Sequence, residues 1–196
     1  DGATWYILND HLASQTINKS IMLDLRGYDL AAEIAEGVSV AVIDSANDKY
    51  DASACGNLTV TGAGTVETLV HTTVNKGGAV KHYVLLKDAN GVYSAHRYVA
   101  AVLAMSLKPG ADALGFKTTY SADEVARAAI TSYGIRVWVN EGHKVVNAKN
   151  EAFDKLASTL TLRVQNILAN NGGQTDIYGD AFIAFNVDGQ QIIASA

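Results

Sequence analysis

The stretch "SIMLDLRGYDL", Ser20–Leu30, sets the fold because its pattern returns twice. In "GVSVAVIDS", Gly37–Ser45, and "GNLTVTGAG", Gly56–Gly64, apolar residues again take alternate positions. Ile21, Leu23 and Leu25 are followed by Val38, Val40 and Val42, then by Leu58 and Val60. Alternation at period two sends one face of a strand into a core and the other toward solvent. Ile21 and Val40 are 19 positions apart, Val40 and Leu58 are 18 apart, and each run ends in a turn bearing Gly or Asp. Short strands recurring at about 20 residues suit stacked coils, where each rung buries its inner face against its neighbours. A plain antiparallel meander fits the same spacing.

Outward from this repeat the pattern changes. Residues 65–80 are polar and rich in Thr and Gly, which suggests an edge strand leading to a boundary. We therefore expect two parts, residues 1–80 and residues 81–196. The second part offers longer strands: "KHYVLLK", "VYSAHRYVAAVLAMSL", "LGFKTTY", "YGIRVWV", "STLTLRVQNIL", "AFIAFNV" and "QQIIASA". In "STLTLRVQNIL", Leu160, Leu162 and Val164 alternate with Thr161, Arg163 and Gln165, the mark of a half-buried strand. One helix is predicted in "SADEVARAAITSYG", with Ser121 as N-cap, Glu124 completing a Ser-x-x-Glu box and Gly134 as a stop. "NEAFDKLAS", Asn150–Ser158, suggests one more helical turn or two.

Composition narrows the function. The chain has 196 residues, enough to bury a substantial core, and is 48% hydrophobic and 18% charged. Its 15 basic and 20 acidic residues give −5, with −4 before a cut after Tyr98 and −1 beyond it. Neither half has the basic excess that phosphate binding needs, so nucleic acid is not an expected partner. No apolar run approaches the roughly 20 residues that span a bilayer, and membrane insertion is not expected. The chain opens on Asp1 without a charged-then-apolar leader, as expected of an exported protein whose signal has been removed. Cys55 is the only cysteine. It is expected to be a partly buried free thiol, with no intrachain disulfide and no thiolate-built metal site.

"IMLDLRGYDL" followed by "VSVAVIDSANDKYDASACGNLTVTG" resembles short right-handed parallel β-helix segments in exported surface proteins of Gram-positive gut bacteria. "GVYSAHRYVAAVLAMSLKPGADALGFKTTYSADEVARAAITSYGIRVWV" resembles the immunoglobulin-like β-sandwich module that often follows them. The resemblance implies a mainly β chain: a short parallel β-helix-like segment, then an immunoglobulin-like antiparallel sandwich with one short helix. It also implies an extracellular setting, secreted or attached to the cell surface, and a structural or adhesive role beside neighbouring modules of the same or identical chains. A carbohydrate-binding module is the alternative, with a glycan as partner.

Four residues are candidate ligand contacts. Across an Asn90-Gly91 turn with an even loop, strand parity places Tyr83, His96 and Tyr98 on one exposed face and Arg97 with the core residues. An odd loop reverses that parity. With the even loop, Arg97 on the core side is expected to sit at a sheet end, pair with an acid or be rescued by a bulge. Trp138 falls on the side of Arg136, opposite Ile135 and Val137, and joins the candidate sugar-stacking groups with Trp5. Asp44, Asn47, Asp48 and Asp51 gather oxygen donors at spacings that suit a structural calcium, although the order of an EF-hand loop is absent. Asx turns within a polar loop explain the same residues. His96 has no second histidine at metal spacing, and the one adjacent acidic pair, Asp123-Glu124, is used by the helix start. The chain is therefore expected to be non-catalytic and to need no cofactor beyond a possible calcium.

Overall fold

The computed structural model describes residues 3–73, 80–108, 113–139, 144–145, 157–165 and 177–195. The protein is mainly β, with several sheets and, among the described residues, one α-helix. The chain divides into two compact units, Asp1–Tyr98 with Ala122–Ala128 and Val99–Ser121 with Ala129–Ala196. The expected boundary after residue 80 therefore moves: the hairpin of residues 80–98 belongs with the N-terminal strands.

In the first unit the opening repeat becomes β1 (Thr4–Tyr6), β2 (His11–Ile17), β3 (Ile21–Asp24), β4 (Leu30–Ile34), β5 (Ser39–Ile43), β6 (Leu58–Gly62) and β7 (Thr65–Val66). Odd-numbered strands pair in parallel in the order β1-β3-β5-β7, and even-numbered ones in the order β2-β4-β6. The chain thus alternates between two parallel ladders, adding one strand to each in turn. Register stacks Trp5, Leu23 and Val42 in one column and Leu30 with Leu58 in the other ladder. Leu23, Val42, Leu30 and Leu58 are all buried in one core.

The repeat keeps its spacing only as far as β5, and both ladders step further at their last strand. Ile21 pairs with Val40 as the 19-residue spacing requires, but Leu58 does not continue that column. It stacks on Leu30, while Val40 is followed by Val66. Between β5 and β6 the chain makes two 3-10 turns, Ser45–Asn47 and Ala52–Ala54, which lengthen the connection, so that β6 comes where a repeat of that spacing would put the next odd-numbered strand. β8 (Leu69–Thr73) and β9 (Val80–Lys87) then pair antiparallel, and β9 pairs with the first residues of β10 (Tyr93–Lys108).

Carboxylates hold the corners of the coil. Asp44 accepts from the amides of Gly27, Ala46 and Gly56, and Asp24 accepts from Ser45 and Arg26. Asp29 accepts from Asn57, and Asp10 accepts from the amide of Asp29. Each carboxylate satisfies backbone donors that parallel strands of two to seven residues leave unpaired at their ends.

The second unit is antiparallel. β11 (Ala113–Ala122) lies between β10 and β14 (Ala157–Gln165). The helix α1 (Glu124–Ala129) follows β11 and is succeeded at once by β12 (Ile130–Val139). β12 lies between β13 (Lys144–Val145) and β15 (Ile177–Val187), and β16 (Gln190–Ser195) completes that sheet. Phe116, Tyr120, Tyr133, Phe182 and Phe185 are buried, and the Tyr120 hydroxyl donates to Gly134 O at 2.7 Å. Register pairs Phe116 with Leu162 and Lys117 with Thr161. The side chains of 157–165 lie outside the described residues, as does the helical turn expected over 150–156; Ala157 and Ser158 open β14.

Two local expectations change. Ser121 lies in β11, and the helix is capped by Asp123, whose Oδ1 accepts from the Ala126 amide at 2.9 Å. The helix stops at Ala129 because a strand takes over at Ile130, so Gly134 lies inside β12.

Candidate functional site

The first unit concentrates its buried polar groups around the strand "YSAHRY", Tyr93–Tyr98. The loop from Asp88 to Val92 has five residues, because Lys87 pairs with Tyr93. It is closed by Asp88, whose carboxylate accepts from the amides of Asn90 and Val92. That odd number reverses the expected parity. Tyr83 pairs with Arg97, while His96 pairs with Val84 and Tyr98 with His82, so Tyr83 faces away from the other two. All three are buried: Tyr83 is 1% exposed, His96 2% and Tyr98 0%. The expected exposed aromatic platform is therefore not formed, and burial holds both tyrosine hydroxyls well above their ordinary pKa. The fourth candidate, Trp138, lies in β12 opposite Tyr178, and its side chain falls outside the described residues. Arg97 does pair with an acid: it donates to Asp48 O at 2.6 Å, lies 3.5 Å from the Asp48 carboxylate and stacks over Tyr50.

The four calcium candidates are engaged separately. Asp44 is fully buried and occupied by three backbone amides. Burial pushes its carboxyl above the ordinary value against the pull of those amides, and the charge of Asp24 adds to the push. Asn47 turns inward to Asp123, Asp48 pairs with Lys81 and Arg97, and Asp51 accepts from the amide and hydroxyl of Ser53. Their geometry is that of Asx turns and ion pairs.

A different group converges instead. His96 Nδ1 lies 3.0 Å from Asp123 Oδ2, Ser94 Oγ lies 2.7 Å from His96 Nε2, and Cys55 Sγ lies 3.8 Å from His96 Nδ1. Asn47 Nδ2 donates to the same Asp123 oxygen at 2.7 Å, and the Cys55 thiol donates to Ala95 O at 3.5 Å. Burial works to raise the Asp123 carboxyl. The hydrogen bond and charge of His96, with the Ala126 amide and Asn47, outweigh it and hold the carboxyl below its ordinary value. The Cys55 thiol goes the other way, pushed up to about 12 by burial and by the charges of Asp44 and Asp123. It is a neutral thiol and a poor nucleophile.

Ser94, His96 and Asp123 stand in the order of a nucleophilic relay, hydroxyl to imidazole to carboxylate. His96 and Asp123 are buried, and Ser94 is half-buried. Among the described residues, a cleft of about 440 Å³ runs along Leu12, Asp29 and Asp88 and another of about 310 Å³ along Tyr6, Asp48 and Lys81; neither is lined by Ser94, His96 or Asp123. The group reads as a buried node joining the turn at Cys55, the strand at His96 and the helix start at Asp123.

Part of this node was visible in the sequence. Ser94 and His96 are two apart on a predicted strand and so share a face, and Asp123 competes with Ser121 for the helix cap. Nothing in the sequence brings Cys55 or Asn47 to them. No family model, no curated protein and no solved structure matches this chain.

Proposed function

We propose that this chain is a non-catalytic structural or adhesive module of an extracellular bacterial surface protein. In this reading the alternating ladders are a short parallel β-helix, and the antiparallel unit is an immunoglobulin-like sandwich. Its neighbours are modules of the same or identical chains. The carrying observation is the N-terminal rung. Trp5 stands in the inward column above Leu23 and Val42, yet it is 47% exposed, and Leu12 on β2 is 78% exposed. Tyr6 and Leu8 add to the same apolar rung. β1 and β2 are edge strands of their ladders among the described residues, whereas β6 at the other end is paired with β10. An exposed, apolar strand edge is a site for strand addition. The extracellular setting follows from the sequence resemblance, and among the described residues no helix is long and apolar enough to cross a membrane.

The test is sedimentation of the purified chain over a wide concentration range, beside Trp5→Glu and Leu12→Glu. Concentration-dependent self-association that either charge abolishes supports the docking rung. A strictly monomeric chain whose β1 and β2 amides stay open to hydrogen exchange removes its support. Hydrolysis of an activated ester that is lost in Ser94→Ala would overturn the non-catalytic reading.

A carbohydrate-binding reading keeps one observation. The cleft beside exposed Tyr6 also presents Ser45, Asp48, Thr72 and Lys81, a ring with polar groups around it. Retention on a polysaccharide that Tyr6→Ala abolishes without lowering Tm would favour it.

A further inference from the structure

We propose that Cys55, His96 and Asp123 form a structural site for a divalent metal ion of the zinc type. The lone cysteine had argued against a thiolate site, yet the fold supplies ligands of two other kinds. One ligand atom from each of these residues lies within 4.8 Å of the other two, and among the described residues this is the cluster of His, Cys and acidic groups close enough to hold an ion. Tetrahedral zinc takes sulfur at about 2.3 Å and nitrogen or oxygen at about 2.0–2.2 Å, which sets neighbouring ligand atoms roughly 3.3–3.6 Å apart. The observed separations, 3.8 Å for sulfur to nitrogen and 3.0 Å for nitrogen to oxygen, bracket that range. The third separation, sulfur to oxygen, lies within 4.8 Å, so movements of up to roughly 1 Å close the set around an ion. A sulfur, nitrogen and oxygen set selects zinc or cobalt over calcium and magnesium, which prefer oxygen alone.

The surroundings support the same assignment. His96 Nε2 is held by Ser94 Oγ at 2.7 Å, the outer-shell bond that fixes a ligating imidazole. A hydroxyl accepts as readily as it donates, so the ring can carry its proton on Nε2 and free Nδ1 without moving. Asp123 keeps Oδ1 on the Ala126 amide and presents Oδ2 inward. The independent observation is Asn47. It is fully buried, its Nδ2 is bonded to Asp123 Oδ2, and its Oδ1 has no hydrogen-bond partner. A buried carbonyl oxygen left unpaired is costly, and a metal, or a water bound to it, satisfies that oxygen and completes four-coordination. On binding, the S–H bond of Cys55 breaks, the metal–sulfur bond forms and the proton leaves to solvent. The site is structural because His96 and Asp123 are buried and because the ion would clip together segments 41 and 27 positions apart in sequence.

The experiment is cobalt titration of the full chain after chelator treatment. We expect one equivalent of Co²⁺ to bind, with a thiolate-to-cobalt charge-transfer band in the near ultraviolet and visible bands of tetrahedral intensity. Zn²⁺ should displace it and raise Tm by several degrees. Cys55 is the only cysteine, so the charge-transfer band reports this residue alone. Cys55→Ser should lose the band and at least about tenfold in affinity while keeping the metal-free Tm, and His96→Gln should abolish tetrahedral binding. If His96→Gln fails to fold, the cysteine variant still decides. The rival site is the His71–His82 pair, whose Nδ1 atoms lie 2.6 Å apart. Binding lost in His82→Gln, binding without a charge-transfer band, or no binding at all would overturn the assignment.

Discussion

The two units solve the same problem, satisfying strand backbone while burying apolar side chains, by different means. The first uses short parallel strands, so much of its order is set at corners. Asp44, Asp24 and Asp29 collect backbone amides there, and glycines let one rung pass close beneath the next. The second uses long antiparallel strands, where β11 pairs with β14 over nine residues and β12 with β15 over a similar length. Its described core is aromatic, with Phe116, Tyr120, Tyr133, Phe182 and Phe185 buried. The comparison teaches that the first unit should break at its loops and the second at its core.

The largest expected effect tests that contrast with two glycines. A Cβ on Gly56 would lie 2.1 Å from Tyr28 O, a backbone atom that cannot move without shifting the rung. Gly56→Ala should cost more than about 4 kcal/mol or prevent folding. A Cβ on Gly179 would lie 2.4 Å from Phe116 Cε1, and a ring can turn, so Gly179→Ala should cost about 1–3 kcal/mol. Denaturant unfolding measures both, and equal losses would break the distinction between corner and core.

Carboxylates sharpen it next. Asp44→Ala strands three amides, one buried and two partly buried, and should cost at least about 2–3 kcal/mol. Asp180 in the second unit pairs with Arg136 at 2.9 Å, but both are partly exposed, and Asp180→Ala should cost under about 1 kcal/mol. A smaller contrast concerns the helix start. Ser121→Ala should stay within about 0.5 kcal/mol, since the strand residue caps nothing, whereas Asp123→Asn should lose measurably more through His96. Matching thermal shifts would return the cap to Ser121.

How much of this was legible follows from what each signal measures. Alternation in "SIMLDLRGYDL" and "GVSVAVIDS" found β3 and β5 and their 19-residue register, because apolar period two is local. It misassigned Leu58, because two 3-10 turns lengthen that connection without altering the alternation within the strand. The parity argument for Tyr83, His96 and Tyr98 turned on one residue of loop length, fixed by Asp88 accepting from both Asn90 and Val92. The buried node was the least legible, since Cys55 and Asp123 meet across 68 positions and no short motif encodes that.

The smallest expected effect lies on the antiparallel hairpin of the first unit. His82 Nδ1 faces His71 Nδ1 at 2.6 Å across β8 and β9. Burial, then the charge of His71 and that of Arg97 on β10, lowers the His82 pKa below its ordinary 6.5; the Tyr98 ring packs on its other side. A base with a lowered folded pKa contributes its full stability above the unfolded value. That contribution declines as pH falls below 6.5 and through the lowered folded value. Because His82 is only half-buried, the loss should stay under about 1 kcal/mol. Denaturant midpoints at pH 7.5 and pH 5.5 should separate more for the wild-type chain than for His82→Gln, which cannot take up the proton. Identical pH dependence in both would mean that protonation of His82 costs the hairpin no measurable stability.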